Sequence, residues 1–224
     1  MRAYQLDSDR MLPGDVLLER GRGLESAIIR LFDRGSFSHA ILYLGGDQIV
    51  EAVDRGVSLR SVLHVMCTDP SRFTLLRHPE ANRRIGTQID SLYSFAQGEL
   101  NKYYSTAGAI GTKIPFFKRR AHEHFCSELI ALIYERMQIP LFTDRRAPDK
   151  VSPNDFTRPS CMLLRQREAP FRDLPPLPPG LSNSLFLSLV DRDKLHATSP
   201  SGTAGDLAQR AVAMPNSWKM LREQ

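Results

Sequence analysis

The chain has 224 residues, 42% hydrophobic and 25% charged, a balance that supports one well-packed core and excludes both a disordered polymer and two full domains. Thirty basic against 25 acidic residues leave a formal net charge of +5; with the two signs interspersed and no basic run interleaved with aromatics, nucleic-acid binding is not expected. Cysteines at 67, 126 and 161 are odd in number and far apart, which excludes a disulfide framework and points to a reducing compartment.

At the start, residues 1–11 carry Asp7, Asp9 and Arg10 and no apolar stretch, so they do not read as a secretory signal. Pro13-Gly14 punctuates the chain and Asp15 to Leu18 reads as a short strand. Leu24, Ile28, Leu31 and Phe32 then recur at helical spacing up to Gly35. Residues 37–44 and 48–53 are β-rich runs separated by Gly45-Gly46-Asp47, a hairpin signal. Val57 to Val65 and Arg72 to Leu76 are two further strand candidates, and Ile85 to Leu100 carries the stripe of an amphipathic helix. Tyr103-Tyr104 opens a loop that runs to the basic cluster Lys118-Arg119-Arg120. A helix from Cys126 to about Met137 is stopped by Pro140, Ser152-Pro153-Asn154-Asp155 signals a short turn or helix, and Met162 to Leu164 offers a last strand. Beyond Phe171 a proline-rich spacer, 174–180, leads to a tail whose longest apolar run, 185–190, is far short of the ~20 residues of a bilayer crossing. The expected organisation is a catalytic unit at 1–170, a linker at 171–180 and an appendage at 181–224, without an integral membrane segment. A cytoplasmic protein is expected, with export by a dedicated secretion machine left open.

Three residues are awkward for a purely structural chain. Cysteine reacts as thiolate, which a helix N-terminus and a nearby imidazolium both favour, and Cys126 opens a helix whose Leu129, Ile130, Ile133 and Met137 share its face. It is therefore expected at the mouth of the core, although a buried cysteine is more often a small hydrophobe. Strand alternation puts Phe37, His39, Ile41 and Tyr43 on one face and Ser38, Ala40, Leu42 and Leu44 on the other. Both faces are mostly apolar, so His39 is expected inside and needs partners, catalytic or merely structural. Glu51 is a carboxylate within the apolar run Ile49 to Val53 and wants a donor. A three-residue loop at 45–47 would make His39 and Glu51 diagonal neighbours on one face, and a two-residue loop would separate them.

Nucleophile, base and orienting acceptor are the roles of a cysteine triad. The order Pro13-Gly14-Asp15-Val16, Phe37-Ser38-His39-Ala40 with Tyr43-Leu44-Gly45, Val50-Glu51-Ala52 with Gly56-Val57, and Phe125-Cys126-Ser127-Glu128 resembles the permuted papain-like amidases of the YiiX type, relatives of the NlpC peptidases in which histidine precedes cysteine. The likeness covers roughly residues 12–165, Ser152 to Asp155 included. It implies an α+β, circularly permuted papain-like fold, with an antiparallel sheet packed against helices and the nucleophile at a helix N-terminus. It further implies Cys126 as nucleophile, His39 as base, Glu51 as its orienting group, and substrate contacts from Ser38, Tyr103 and Tyr104. Where the family often has Gly-x-Tyr-Asp ahead of the cysteine, this chain has Tyr103-Tyr104-Ser105, which puts contacts from that loop in question.

The implied activity is hydrolysis of an amide in a peptide, an isopeptide or a cell-wall peptide through an acyl-enzyme, with no cofactor. One alternative is acyl transfer or lipid-ester cleavage of the lecithin-retinol-acyltransferase-like kind. Another is a binding module that keeps the fold without chemistry. A metal site drawn from His122, His124, Cys126 and Cys161 is disfavoured, because alternate residues converge poorly on one ion and no Cys-x-x-Cys pair supports them. Cys67 and Cys161 read as inert.

Overall fold

The structure, a computed structural model, describes residues 2–21, 35–53, 56–100, 103–104, 123–124 and 126–174. The helix expected from Leu24, the basic cluster at 118–120 and the tail beyond Leu174 lie outside them.

Eleven strands occur among the described residues: β1 (Tyr4–Leu6), β2 (Val16–Glu19), β3 (His39–Gly45), β4 (Gln48–Val53), β5 (Gly56–Ser61), β6 (Met66–Cys67), β7 (Phe73–Arg77), β8 (Tyr103–Tyr104), β9 (Glu123–His124), β10 (Leu164–Arg165) and β11 (Phe171–Asp173). Six form one antiparallel sheet in the order β10-β7-β2-β3-β4-β5, and β11-β1-β6 form a smaller antiparallel sheet. Two α-helices are described, α1 (Ile89–Gln97) and α2 (Cys126–Arg136). The expected α+β architecture of an antiparallel sheet against helices is present.

The central strands are apolar at nearly every position because both of their faces are covered. Val16, Leu18, Ala40, Leu42, Leu44 and Val50 pack against Leu92 and Ala96 of α1 and Leu129, Ile130 and Ile133 of α2. Leu17, Ile41, Tyr43, Ile49 and Leu75 face the other way, onto Leu6, Cys67 and Phe171 of the small sheet. Phe37 departs from the expected alternation. The strand begins only at His39, and Phe37 sits in the helix-side cluster with Ala40 and Leu42 rather than with Ile41 and Tyr43.

The β3–β4 turn decides the relation of His39 to Glu51. Gly46 and Asp47 both have positive φ (54° and 62°) and close a two-residue turn, with Gly45 opposite Gln48. A bulge between Tyr43 and Gly45, where Gly45 has φ 97°, then shifts the register so that Tyr43 faces Ile49 and Leu42 faces Val50. The tight turn and the bulge together restore the pairing that a plain three-residue loop would produce. His39 and Glu51 therefore share a face.

Several expected boundaries move. β5 ends at Ser61, whose side chain accepts from the Leu63 N–H and starts a short 3-10 turn. The expected helix at 85–100 is α-helical only over Ile89–Gln97, following a π turn at Ala81–Ile85 and a 3-10 turn at Gly86–Gln88. Tyr103–Tyr104, expected as loop, pairs parallel with Glu123–His124. β11 lies past the limit expected at residue 170, pairing with β1 through Phe171, Arg172 and Asp173.

Candidate active site

Pro13-Gly14-Asp15 anchors the start of β2, at the end of that strand away from His39, which pairs with Glu19. Gly14 has φ 86°, and a Cβ there would lie 2.6 Å from Ile85 Cδ1, so neither its backbone nor its surroundings admit a side chain. The Tyr134 hydroxyl of α2 donates to the Gly14 carbonyl at 2.5 Å. Asp15 is fully buried; it accepts from the Leu12 N–H and, at 2.8 and 2.7 Å, from two nitrogens of Arg77. Burial pushes its carboxyl up, and Arg77 only partly offsets this. The motif ties the start of β2 to β7 and α2.

Cys126 opens α2 as expected, but at 0% exposure it lies inside the core rather than at its mouth. His39 begins β3 with 17% of its side chain exposed, and its Nε2 is 2.9 Å from Glu51 Oε2. Its cross-strand neighbour on β2, Glu19, lies instead 3.6 Å from Arg72. Burial disfavours the imidazolium of His39. The Cys126 sulfur, as opposing charge and hydrogen-bond partner, outweighs burial together with Glu51 and raises the imidazole above its ordinary 6.5. With Nε2 committed to Glu51, Nδ1 is the nitrogen left for the sulfur.

Glu51 has no exposed side-chain surface and faces a second cation: Arg60 Nε is 3.4 Å from its Oε1. The β4–β5 register pairs Glu51 with Ser58 and Ile49 with Arg60, which makes Arg60 the diagonal neighbour of Glu51 on the same face. Sequence reasoning missed Arg60, although the two-residue alternation Val57, Leu59 against Ser58, Arg60 carried the signal. It also missed Asn154 as a contact of the strand leading to His39. The Asn154 Oδ1 accepts from the Phe37 N–H and its Nδ2 donates to the Phe37 carbonyl.

Of the expected substrate contacts, Ser38 is 3% exposed and its hydroxyl accepts from the Gly21 N–H at 2.9 Å, a contact within the chain. For Tyr103 and Tyr104 only the backbone pairing with β9 is described. His122 lies outside the described residues, and Cys161 forms a bridge with Phe142. Among the described residues, no group of three or more His, Cys, Asp or Glu could hold a metal ion. Burial pushes the Cys67 thiol up to about 12 and the Cys161 thiol up to about 11, so both are protonated at neutral pH.

No family model matches the chain. In sequence it is similar to the probable lipoprotein peptidase YaeF of Escherichia coli (strain K12), 29% identical over 116 residues, which are 52% of this chain and 40% of that protein. The chain spans well under half the length of this relative. Among solved structures, the metalloprotein yiiX from Escherichia coli O157:H7 aligns with 75% of this chain and 98% of its own, at 14% identity and a TM-score of 0.44. No helix among the described residues is long and apolar enough to cross a membrane.

Proposed function

We propose that the chain is a cysteine hydrolase of the permuted papain-like kind, which cleaves an amide bond in a peptide, an isopeptide or a cell-wall peptide. The observation that carries this reading is the contact order Cys126, His39, Glu51: an imidazole between a sulfur at a helix start and a buried carboxylate 2.9 Å away. The sequence likeness to a peptidase-named protein supports the reaction class.

In this mechanism the Cys126 thiolate attacks the scissile carbonyl carbon and the carbonyl π pair moves onto oxygen. The Cys126 backbone N–H at the start of α2 and the helix dipole stabilise that oxyanion. Collapse of the intermediate breaks the C–N bond as the imidazolium of His39 gives its proton to the departing amine. Neutral His39 then takes a proton from water, whose oxygen attacks the thioester, releasing the acid and regenerating thiolate and imidazolium. Glu51 holds the ring through Nε2 and stabilises its cationic form. With 17% of its side chain exposed, His39 is the most open member of the three, so substrate approaches along the imidazole edge, with Tyr103 and Tyr104 of β8 as proposed contacts.

The test uses p-nitrophenyl acetate, which needs only an acyl-accepting thiolate, together with a fluorogenic peptide-amide library and lipid esters. Cys126→Ala and His39→Ala are each expected to lose at least ~10²-fold in turnover while staying folded. Wild-type rates in either variant contradict the assignment, and turnover confined to lipid esters replaces the amide by an ester substrate.

A further inference from the structure

One segment outside the reacting groups touches both the nucleophile's helix and the base's strand. Ser127, the residue after Cys126, is fully buried and donates its hydroxyl to the Val151 carbonyl at 2.6 Å. Three residues further on, Asn154 is 6% exposed and clasps Phe37, accepting from its N–H at 2.9 Å and donating to its carbonyl at 2.7 Å. Phe37 precedes β3 and stands two residues before His39, so the amide takes the place of a strand neighbour where the ladder has not yet begun. The strand entry closes tightly over it: a Cβ on Gly35 would lie 2.0 Å from Asn154 Cγ.

The segment is itself held rigid. Asp155 Oδ2 accepts from the Ser152 N–H and hydroxyl, each at 2.8 Å, completing a capping box for the 3-10 turn Pro153–Thr157. Asp155 Oδ1 lies 2.8 Å from Arg146 and 2.8 Å from Arg158. A pinned turn with one hydrogen bond to the first turn of α2 and two to the residue before the β3 entry has the form of a strut.

We infer that residues 151–155 set the separation of Cys126 and His39, with Asn154 as the positioning residue for His39. The inference rests on the assignment of those two residues as nucleophile and base. General packing is the competing role, and the two differ in what they change. A packing residue lowers stability; a positioning residue lowers the rate of the bonded step at fixed substrate affinity, since a displacement of ~1 Å costs ~10²-fold in rate.

The experiment uses the full chain with p-nitrophenyl acetate and compares Asn154→Ala, Ser127→Ala, Cys126→Ala and Val65→Ala. Val65 is fully buried in the cluster against the small sheet, away from the strut, and its truncation supplies a loss of stability without touching the clasp. At a temperature where all variants are folded by circular dichroism, kcat in Asn154→Ala is expected to fall ~10–100-fold with KM within ~2-fold. Ser127→Ala is expected to fall in the same way from the other end, and Val65→Ala to keep the wild-type kcat. If Asn154→Ala does not fold, Ser127→Ala alone decides. Wild-type kcat in the folded strut variants, or an equal fall in Val65→Ala, overturns the strut. Full activity in Cys126→Ala overturns the assignment of the nucleophile instead, so the two failures are distinct.

Discussion

His39 is held by the Glu51 carboxylate and acted on by the Cys126 sulfur, and its protonation is a direct readout of the site. The Cys126 sulfur and the Glu51 carboxylate raise its pKa against the opposing effect of burial. A raised base pKa means that imidazolium persists below the raised value and is lost as pH rises through it. The alkaline limb of kcat/KM is therefore expected well above 6.5, the ordinary value for the ring. Glu51→Gln keeps an acceptor for Nε2 but removes the negative charge, and leaves the Arg60 guanidinium, 3.4 Å from Glu51 in the native chain, without its counter-charge. Both changes lower the imidazole pKa, so the alkaline limb moves to lower pH and kcat falls ~10-fold, less than in His39→Ala. A pH–rate profile of the two proteins on p-nitrophenyl acetate checks this, and an unmoved limb in Glu51→Gln would show that another group holds the ring.

At the scale of elements, the capped turn Pro153–Thr157 carries a stability that depends on pH. Burial alone would raise Asp155, but the bonds from Ser152 and the charges of Arg158 and Arg146 hold its carboxyl below the usual value of 3.8. A depressed acid pKa contributes stability that is present above the unfolded value and lost as pH falls through the folded one. Asp155→Asn is expected to cost about 1–3 kcal/mol near pH 7. In urea unfolding, the difference from wild type is expected to shrink as pH drops below the ordinary carboxylate value; a constant difference would mean that Asp155 acts by shape alone. The turn also shows where sequence reasoning stops. Ser-Pro-Asn-Asp announces a capped turn through local chemistry, and alternation at 39–44 and 48–53 announces the hairpin. What Asn154 clasps does not follow, because Phe37 is 117 residues away and no local periodicity encodes that distance. The register of His39 against Glu51 was open for a related reason: turn length and bulge act together, and glycine at 45 and 46 permits either.

For the whole molecule, the two-sided sheet explains both the apolar central strands and the role of β11, the last strand among the described residues. β11 pairs with β1, and the Phe171 ring lies 4.8 Å from Phe73, between centroids, under the main sheet. The Leu174 N–H donates to the Ala3 carbonyl at 2.8 Å, tying the two ends of the described chain together. The composition change at 171 marked a linker, yet the strand continues because Phe171 fills the core beneath Leu17 and Leu75. A chain ended after Leu174 is expected to melt like the full chain and to keep its turnover of p-nitrophenyl acetate. A chain ended after Pro170 is expected to melt ~5–10 °C lower through loss of the Phe171 packing. Equal melting of the two shortened chains would place β11 outside the cooperative unit.

The central claim, Cys126 as a nucleophile activated by His39, is tested most directly by iodoacetamide alkylation rates for each cysteine, read by peptide mass spectrometry from about pH 5 to about pH 9. Cys67 and Cys161 are held protonated by burial, with thiols pushed up to about 12 and about 11. Near pH 6, Cys126 is expected to be alkylated first, with that preference lost in His39→Ala. Equal rates for the three cysteines, or a Cys126 that reacts only above about pH 8 as an ordinary thiol does, would contradict it.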